Sequence, residues 1–228
     1  AVCGDALLGI GENCDDANQQ DGDGCSSLCQ IEPQCTAGCL QTSDCSGAQT
    51  CVGRPSSVAG ATGQCEDTTS NLTWPPPTCS ASQPCPSGQA CLGEFLRASW
   101  SENDRWCVDG WFAKHFYSYD QIEIPDGGAA LSSTVVACGL ATVPVDIVVT
   151  LHLDHPRSED LVVSLEDPNG QQGTVLSNQT WNPGPITTFV GSGDDTVNGE
   201  WTLHVSDTVS GETGQLIGWS VYLLSRWD

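Results

Sequence analysis

The sequence predicts a mostly β protein in which a C-terminal antiparallel β-sandwich follows small disulfide-rich modules with little regular secondary structure. All but one of the fourteen cysteines lie within the first 107 residues of the 228-residue chain, and the exception is Cys138. Beyond residue 116, apolar and polar residues alternate with a period of two, which is typical of half-buried strands. Turn-forming segments separate these stretches, as in an antiparallel sandwich.

The cysteines predict an oxidising environment, because disulfides persist outside the cytosol. The alternative, a set of zinc knuckles, would need CxxC pairs with histidine partners. The chain has no CxxC spacing and no histidine before His115. We therefore predict a secreted protein, located outside the cell and on a bacterial cell surface. The predicted disulfide cysteines are Cys3, Cys14, Cys25, Cys29, Cys35, Cys39, Cys45, Cys51, Cys65, Cys79, Cys85, Cys91, Cys107 and Cys138.

The charge excludes two classes of partner. The chain has 29 acidic and 6 basic residues, which give a formal net charge of −23. Such a chain repels nucleic acid and anionic lipid, so neither is an expected partner. No apolar run is long enough to span a membrane. Clustered carboxylates favour calcium, while the alternative for the scattered acids is that they only keep the protein soluble.

Residues 1–34 form the first predicted module, a loop-rich segment that contains four cysteines. Five carboxylates and an amide fall within twelve residues of it, and calcium takes six to eight oxygen ligands. We therefore predict a calcium site here, although the spacing does not fit an EF-hand. The alternative is a loop whose acidic side chains cap their own backbone. The candidate ligands are Glu12, Asp15, Asp16, Asn18, Asp21 and Asp23.

An internal repeat defines the next modules. Cys39, Cys45 and Cys51 recur forty residues later as Cys79, Cys85 and Cys91, and the fourth cysteine of each set is displaced by two more. This pattern predicts two copies of one four-cysteine module, at residues 35–68 and 79–115. Residues 69–78, with three consecutive prolines, are predicted to be a semi-rigid linker between them.

Two cysteines remain when each of the three modules keeps four for itself. They are Cys35, at the start of the first repeat, and Cys138, inside the predicted sandwich. Elimination pairs them, so we expect this bond to tie the modules to the sandwich.

Residues 116–228 are predicted to form the sandwich. Alternation is clearest from Val143 to Leu153, and it returns at Leu161–Leu165, at Trp201–Val205 and at Ile217–Leu223. The segment Asp167-Pro168-Asn169-Gly170 supplies a turn between two of these strands.

The first module resembles the cysteine-rich repeat of secreted myxobacterial proteins. The resemblance rests on Gly11-Glu12-Asn13-Cys14-Asp15-Asp16-Ala17-Asn18 and on Asp21-Gly22-Asp23-Gly24-Cys25. Ala17 stands where that pattern usually has glycine. The resemblance covers about 30 residues and assigns no activity.

The last 110 residues resemble the P domain that accompanies subtilisin-like proprotein convertases. The resemblance rests on His155-Pro156-Arg157-Ser158-Glu159-Asp160-Leu161, on Asn198-Gly199-Glu200-Trp201 and on Gly214-Gln215-Leu216-Ile217-Gly218-Trp219. It implies a jelly-roll-like sandwich, often calcium-bearing, that assists or anchors other domains. It also implies a second calcium site, against the alternative of solvated loop acids. The candidates there are Asp154, Asp160, Asp207 and Glu212.

No catalytic motif accompanies the four histidines, so we expect a protein that is not an enzyme. The preferred function is a calcium-stabilised structural or adhesive protein that assembles with itself or binds another extracellular protein or glycan. One alternative is the accessory C-terminal region of a secreted subtilisin-like protease. A carbohydrate- or matrix-binding module is the other.

Overall fold

The computed structural model describes residues 3, 12–15, 19, 25–32, 35, 38–55, 58–66, 83, 89–92, 106–109, 111–141, 143–181, 185–188 and 197–226. Within these ranges the protein is mostly β, with antiparallel sheets and two short 3-10 helices, Thr42–Asp44 and Ser158–Asp160. The predicted fold class is confirmed. In the same ranges, no helix is long and apolar enough to cross a bilayer.

Each of the two repeats contains one short hairpin. The first hairpin pairs β1 (Thr50–Val52) with β2 (Gln64–Glu66), and the second pairs β3 (Gln89–Leu92) with β4 (Trp106–Asp109). Cys51 lies opposite Cys65 in the first, and Cys91 lies opposite Cys107 in the second. The repeated cysteine spacing therefore corresponds to a repeated strand register.

Two antiparallel sheets form the sandwich. The four-stranded sheet has the order β10-β9-β12-β7, and the five-stranded sheet has β11-β8-β13-β5, with β6 also paired to β13. The strands are β5 (Trp111–Ser118), β6 (Ile122–Ile124), β7 (Leu131–Ala137), β8 (Val143–Asp154), β9 (Leu161–Glu166), β10 (Gln172–Ser177), β11 (Pro185–Thr188), β12 (Gly199–Asp207) and β13 (Gly214–Arg226).

The core lies between these two sheets, because alternate residues of the paired strands point inward. Trp201 of β12 and Trp219 of β13 are fully buried, and their indole N–H groups donate to the Val197 carbonyl and to the Ser133 hydroxyl, each at 2.9 Å. Satisfying these donors removes the cost of burying them. Burial of each large apolar side chain stabilises the fold by about 1.5–3 kcal/mol.

Five disulfides join the described cysteines. They are Cys3–Cys29, Cys14–Cys25, Cys35–Cys138, Cys39–Cys51 and Cys45–Cys65. The third confirms the pairing of Cys35 with Cys138 that elimination predicted. The side chains of Cys79, Cys85, Cys91 and Cys107 lie outside the described part of the structure.

The first repeat is docked on the sandwich around the Cys35–Cys138 bond. The amide of Gly139 donates to the carbonyl of Gly53 at 2.7 Å, and Lys114 of β5 donates to the Gln64 side chain. Gly53 has a φ of 66°, and a Cβ there would collide with the backbone of Gly139 and Leu140. Only glycine allows this approach of the two chain segments.

The opening module is docked on the other side of the five-stranded sheet from the core. Its Cys14–Cys25 bond is buried against Tyr117 of β5, with Tyr119 packed beside it. The backbone N–H of Asp15 donates to the Tyr119 hydroxyl at 3.3 Å. The five-stranded sheet is therefore covered on both faces over part of its area, which explains why the outward-facing Tyr117 is only 6% exposed.

Candidate functional site

The docked opening module brings two of the predicted calcium ligands together. Oxygens of the Glu12 and Asp15 carboxylates and the Cys29 sulfur all lie within 4.8 Å of one another. The sulfur belongs to a disulfide, so the carboxylates are the groups that could bind a cation. Asp15 is only 5% exposed, because it follows the buried Cys14 and lies against the sandwich. The other four candidates, Asp16, Asn18, Asp21 and Asp23, lie outside the described residues.

An aromatic ladder on the five-stranded sheet supports this module. His115 stacks with Tyr117, Tyr117 stacks with Tyr119, and Tyr119 stacks with His152 of β8, at centroid distances of 5.8, 5.8 and 6.3 Å. Burial lowers the pKa of His115 to about 3. Burial also lowers the pKa of His152, and the nearby Asp15 charge partly opposes that shift. Both shifts favour neutral rings that pack against tyrosines at neutral pH.

Two of the predicted sandwich ligands are buried, each beside a basic side chain. Asp160 is 5% exposed, and its carboxylate lies 3.2 Å from Nε of Arg157. Asp207 is 3% exposed, and its Oδ2 lies 3.5 Å from Nε2 of His155. The backbone N–H of Arg157 donates to Nδ1 of His155, which places the ring proton of a neutral imidazole on Nε2, facing Asp207. The His155–Asp207 pair ties the loop before β9 to the end of β12, whereas the Arg157–Asp160 pair lies within that loop.

The other two predicted ligands are on the surface. Asp154 ends β8 opposite Gln215, and Glu212 lies in the turn before β13; both are exposed. The described structure does not place three ligand atoms of these four acids within 4.8 Å of one another, as it does for Glu12, Asp15 and Cys29. Calcium binding by the sandwich loops therefore stays a prediction.

The sequence analysis missed a hydrogen-bonded chain on the outer face of the four-stranded sheet. The Ser132 hydroxyl lies 2.9 Å from Nδ1 of His204, and Nε2 of His204 lies 3.0 Å from Oε2 of Glu166. Gln172 donates to the same Glu166 oxygen at 2.7 Å. The hydrogen bond from Gln172 is the main cause of a lowered Glu166 pKa, and the hydrogen bond with His204 adds to it. Alternation alone places these residues on one face, but only the strand register makes them neighbours.

This serine–histidine–glutamate chain has the order of a nucleophile, a base and an orienting acid. Acyl transfer also needs N–H donors aimed at the developing oxyanion. Here Ser132 and His204 lie opposite each other on paired strands, so their backbone N–H groups lie in the plane of the sheet and not on its outer face. The arrangement fits a cross-strand polar ladder better than a catalytic site.

The fold and these loops can be compared with known proteins. Residues 144–223 match the family model of the proprotein convertase P-domain. The P-domain match runs from β8 into β13 and includes the paired Arg157–Asp160 and His155–Asp207. The predicted resemblance is confirmed for this region. The resemblance of residues 1–34 to the myxobacterial repeat stays a prediction.

Similar proteins include proteases that are much longer than this chain. The chain is 30% identical over 107 residues to the transglutaminase-activating metalloprotease of Streptomyces mobaraensis, across 46% of this chain but only 14% of that protein. The serine protease of Aeromonas sobria aligns with a TM-score of 0.42 and 20% identity, over 52% of this chain and 28% of its own. Its complex with the chaperone ORF2 aligns with a TM-score of 0.40 and 21% identity, over 50% and 27%.

Proposed function

We propose that this chain is a non-catalytic, calcium-stabilised extracellular protein whose P-domain sandwich serves as the platform for the disulfide modules. The observation that carries the proposal is the double attachment of those modules. The first repeat is bonded through Cys35–Cys138, and the opening module packs through Cys14–Cys25. The P-domain match and the protease relatives support an accessory role, in which the sandwich holds neighbouring domains in place.

The surroundings of all four histidines support the non-catalytic part of the proposal. His115 and His152 belong to the aromatic ladder, and His155 is paired with the buried Asp207. His204 belongs to the polar ladder, where the backbone N–H groups of His204 and Ser132 lie in the plane of the sheet. Assays on casein and on ester substrates test this reading, with Ser132→Ala as the matched variant. Turnover by the wild type that Ser132→Ala abolishes would contradict it.

Calcium is supported by the convergence of Glu12 and Asp15. Two carboxylates held this close repel each other, and one of them is buried against the sandwich. A cation between them would offset that repulsion, and calcium prefers such oxygen ligands. Because the same loop contacts Tyr119, calcium bound there would stabilise the junction of the module with the sandwich.

Thermal unfolding in calcium and after chelation tests this part. When the free calcium concentration is one hundred times the Kd, binding stabilises the folded state by about 2.7 kcal/mol. We therefore expect chelation to lower the Tm by several degrees. The double variant Glu12→Gln/Asp15→Asn should abolish most of that shift. Glu200→Gln, an exposed change on the far sheet, is the control and should retain it. An equal Tm with and without calcium would rule the site out.

The sandwich also favours a second candidate, a self-assembling extracellular subunit. In the described structure, β7 and β10 end the four-stranded sheet and each pairs on one side only. Edge strands can add a strand from another chain. Light scattering and electron microscopy in millimolar calcium should then show filaments or closed oligomers. A monodisperse monomer at high concentration would rule out self-assembly and favour the accessory role. Mass spectrometry of the newly secreted precursor would then show whether a protease domain accompanies this chain.

A further inference from the structure

We propose that the cleft between the opening module and the sandwich binds one neutral or amine-bearing sugar residue of an extracellular glycan. The cleft has a volume of about 380 Å³, within the range of roughly 300–1,000 Å³ typical of small-ligand sites. The opening module and the sandwich both line the cleft, and ligand sites occur preferentially at such interfaces. The inference goes beyond the proposed function and shares only Glu12 with the calcium site.

The polar lining matches the chemistry of a sugar hydroxyl. Three carboxamides, of Asn13, Gln30 and Gln121, and the Glu12 carboxylate line the cleft. Each carboxamide offers donors and an acceptor, as a hydroxyl needs, and a carboxylate accepts from hydroxyls. Asn13 donates to Oε1 of Gln30 at 2.7 Å, and Gln30 donates to the Cys29 carbonyl at 3.2 Å. The module side of the cleft is therefore held in place before any ligand arrives, which reduces the ordering cost of binding.

The remaining lining matches the apolar face of a sugar ring. Ile31 of the opening module, 46% exposed, and Ile217 of β13 contribute aliphatic surface, and Tyr119 contributes its ring. The Tyr119 ring is held in place by two contacts. It stacks on Tyr117 at a centroid distance of 5.8 Å, and its hydroxyl accepts a hydrogen bond from the backbone N–H of Asp15. Because Tyr119 is also stacked with His152, a sugar would contact only the part of this rigid ring that the two neighbours leave open.

The acidic lining of the cleft distinguishes sugars by their charge. Among the described residues, the lining contains Glu12 and no lysine or arginine, and Asp15 lies beside Glu12. The whole chain has a net charge of −23. As long as no calcium is bound to Glu12 and Asp15, uronic acids, sulfated sugars and phosphates would be repelled, whereas a glucosamine ammonium would be attracted.

Titrations monitored by saturation-transfer NMR test the proposal on the full chain. The probes are cellotriose, a glucosamine trimer and a trigalacturonate, each with calcium and after chelation. We expect the first two to bind and the third not to bind. Gln121→Ala should weaken binding up to about tenfold, the effect of one hydrogen bond, while Gln172→Ala on the far sheet should not change it.

Several outcomes would overturn the proposal. They are the absence of binding by cellotriose and by the glucosamine trimer in both buffers, equal binding of trigalacturonate, and equal weakening by Gln172→Ala. If a trilysine peptide bound while neither cellotriose nor the glucosamine trimer did, the proposal would also be overturned, and the ligand would be a cationic peptide instead. Failure here together with a calcium-dependent Tm would leave the proposed function intact.

Discussion

The disulfide modules and the sandwich are stabilised in different ways. The described modules have strands of three or four residues, and most of their buried apolar side chains are cysteines. The sandwich buries two tryptophans and many aliphatic side chains, and Cys138 is its one described disulfide cysteine. Segments too small to bury a core depend on cross-links, whereas about 110 residues of alternating strands do not.

The junction combines both kinds of stabilisation. Cys35 and Ala61 of the first repeat belong to the same apolar cluster as the sandwich core. The Cys14–Cys25 bond of the opening module packs on Tyr117 of β5 and on Tyr119, which follows that strand. The modules thus gain from the sandwich the apolar contacts that they cannot provide for themselves.

The largest effect should come from the sandwich core. Trp219→Ala removes a fully buried side chain that also donates to Ser133, so the free energy of unfolding should fall by about 3–5 kcal/mol. Leu28→Ala in the opening module, where the side chain is 79% exposed, should change it by less than about 0.5 kcal/mol. Denaturant unfolding followed by far-UV circular dichroism gives both values. Similar losses for the two variants would contradict the contrast between the regions.

The next effect concerns the bond that joins the regions. The double variant Cys35→Ser/Cys138→Ser opens a loop with a sequence separation of 103, and should cost about 2–4 kcal/mol or somewhat more. The control Cys39→Ser/Cys51→Ser opens a separation of only 12 within one module. Loop entropy makes its cost about 2 kcal/mol smaller. A control that destabilises as much as the long-range pair would show that strain or packing, and not loop length, decides the cost.

A smaller effect is the acid sensitivity of the junction. The folded-state pKa of His115 is about 3, below an unfolded value of about 6.5. The unfolded state therefore binds the proton first, so stability is complete above pH 6.5 and falls as the pH decreases towards 3. By pH 5.5 this group alone should cost on the order of 1 kcal/mol relative to pH 8. His115→Phe keeps a ring between Tyr117 and Tyr222 and should remove that part of the loss; an unchanged pH profile would contradict the assignment.

The smallest effect belongs to the outer face of the four-stranded sheet. His204→Gln interrupts the polar ladder between Ser132 and Glu166, and should cost about 0.2–1 kcal/mol, as cross-strand pairs do. Thr134→Ala, which removes the neighbouring hydroxyl pair with Thr202, is the matched control. A loss above about 3 kcal/mol for His204→Gln alone would mean that the ladder is structurally central.

Much of the fold follows from short-range pattern. The alternation at Ile147, Val149 and Leu151 predicted a strand with one face in the core, and these side chains are buried there. The cysteine arithmetic predicted Cys35–Cys138, because the module repeat left two cysteines over. The period of apolar residues and the number and spacing of cysteines can both be read from a single sequence.

The candidate sites were harder to predict, because they depend on long-range placement. Glu12 and Asp15 were chosen for their charge, but the hydrogen bond of Asp15 to Tyr119 and its charge interaction with His152 come from docking across more than 100 residues of chain. The Ser132–His204–Glu166 ladder depends on the register of three strands. Asp160 and Asp207 fell on matched motifs, yet their partners Arg157 and His155 became evident only in the folded loops.

The Cys35–Cys138 bond joins the first repeat covalently to the sandwich, and peptide mapping without reduction tests this central attachment most directly. With thiols blocked, digestion at acidic residues suits a chain that has 29 of them and only 6 basic ones. We expect one linked set of three peptides, residues 33–44, 45–66 and 127–146 of the same chain, in which fragmentation between Cys35 and Cys39 assigns Cys138 to Cys35. Either cysteine found bonded to a third cysteine, or to a neighbouring subunit, would contradict the claim.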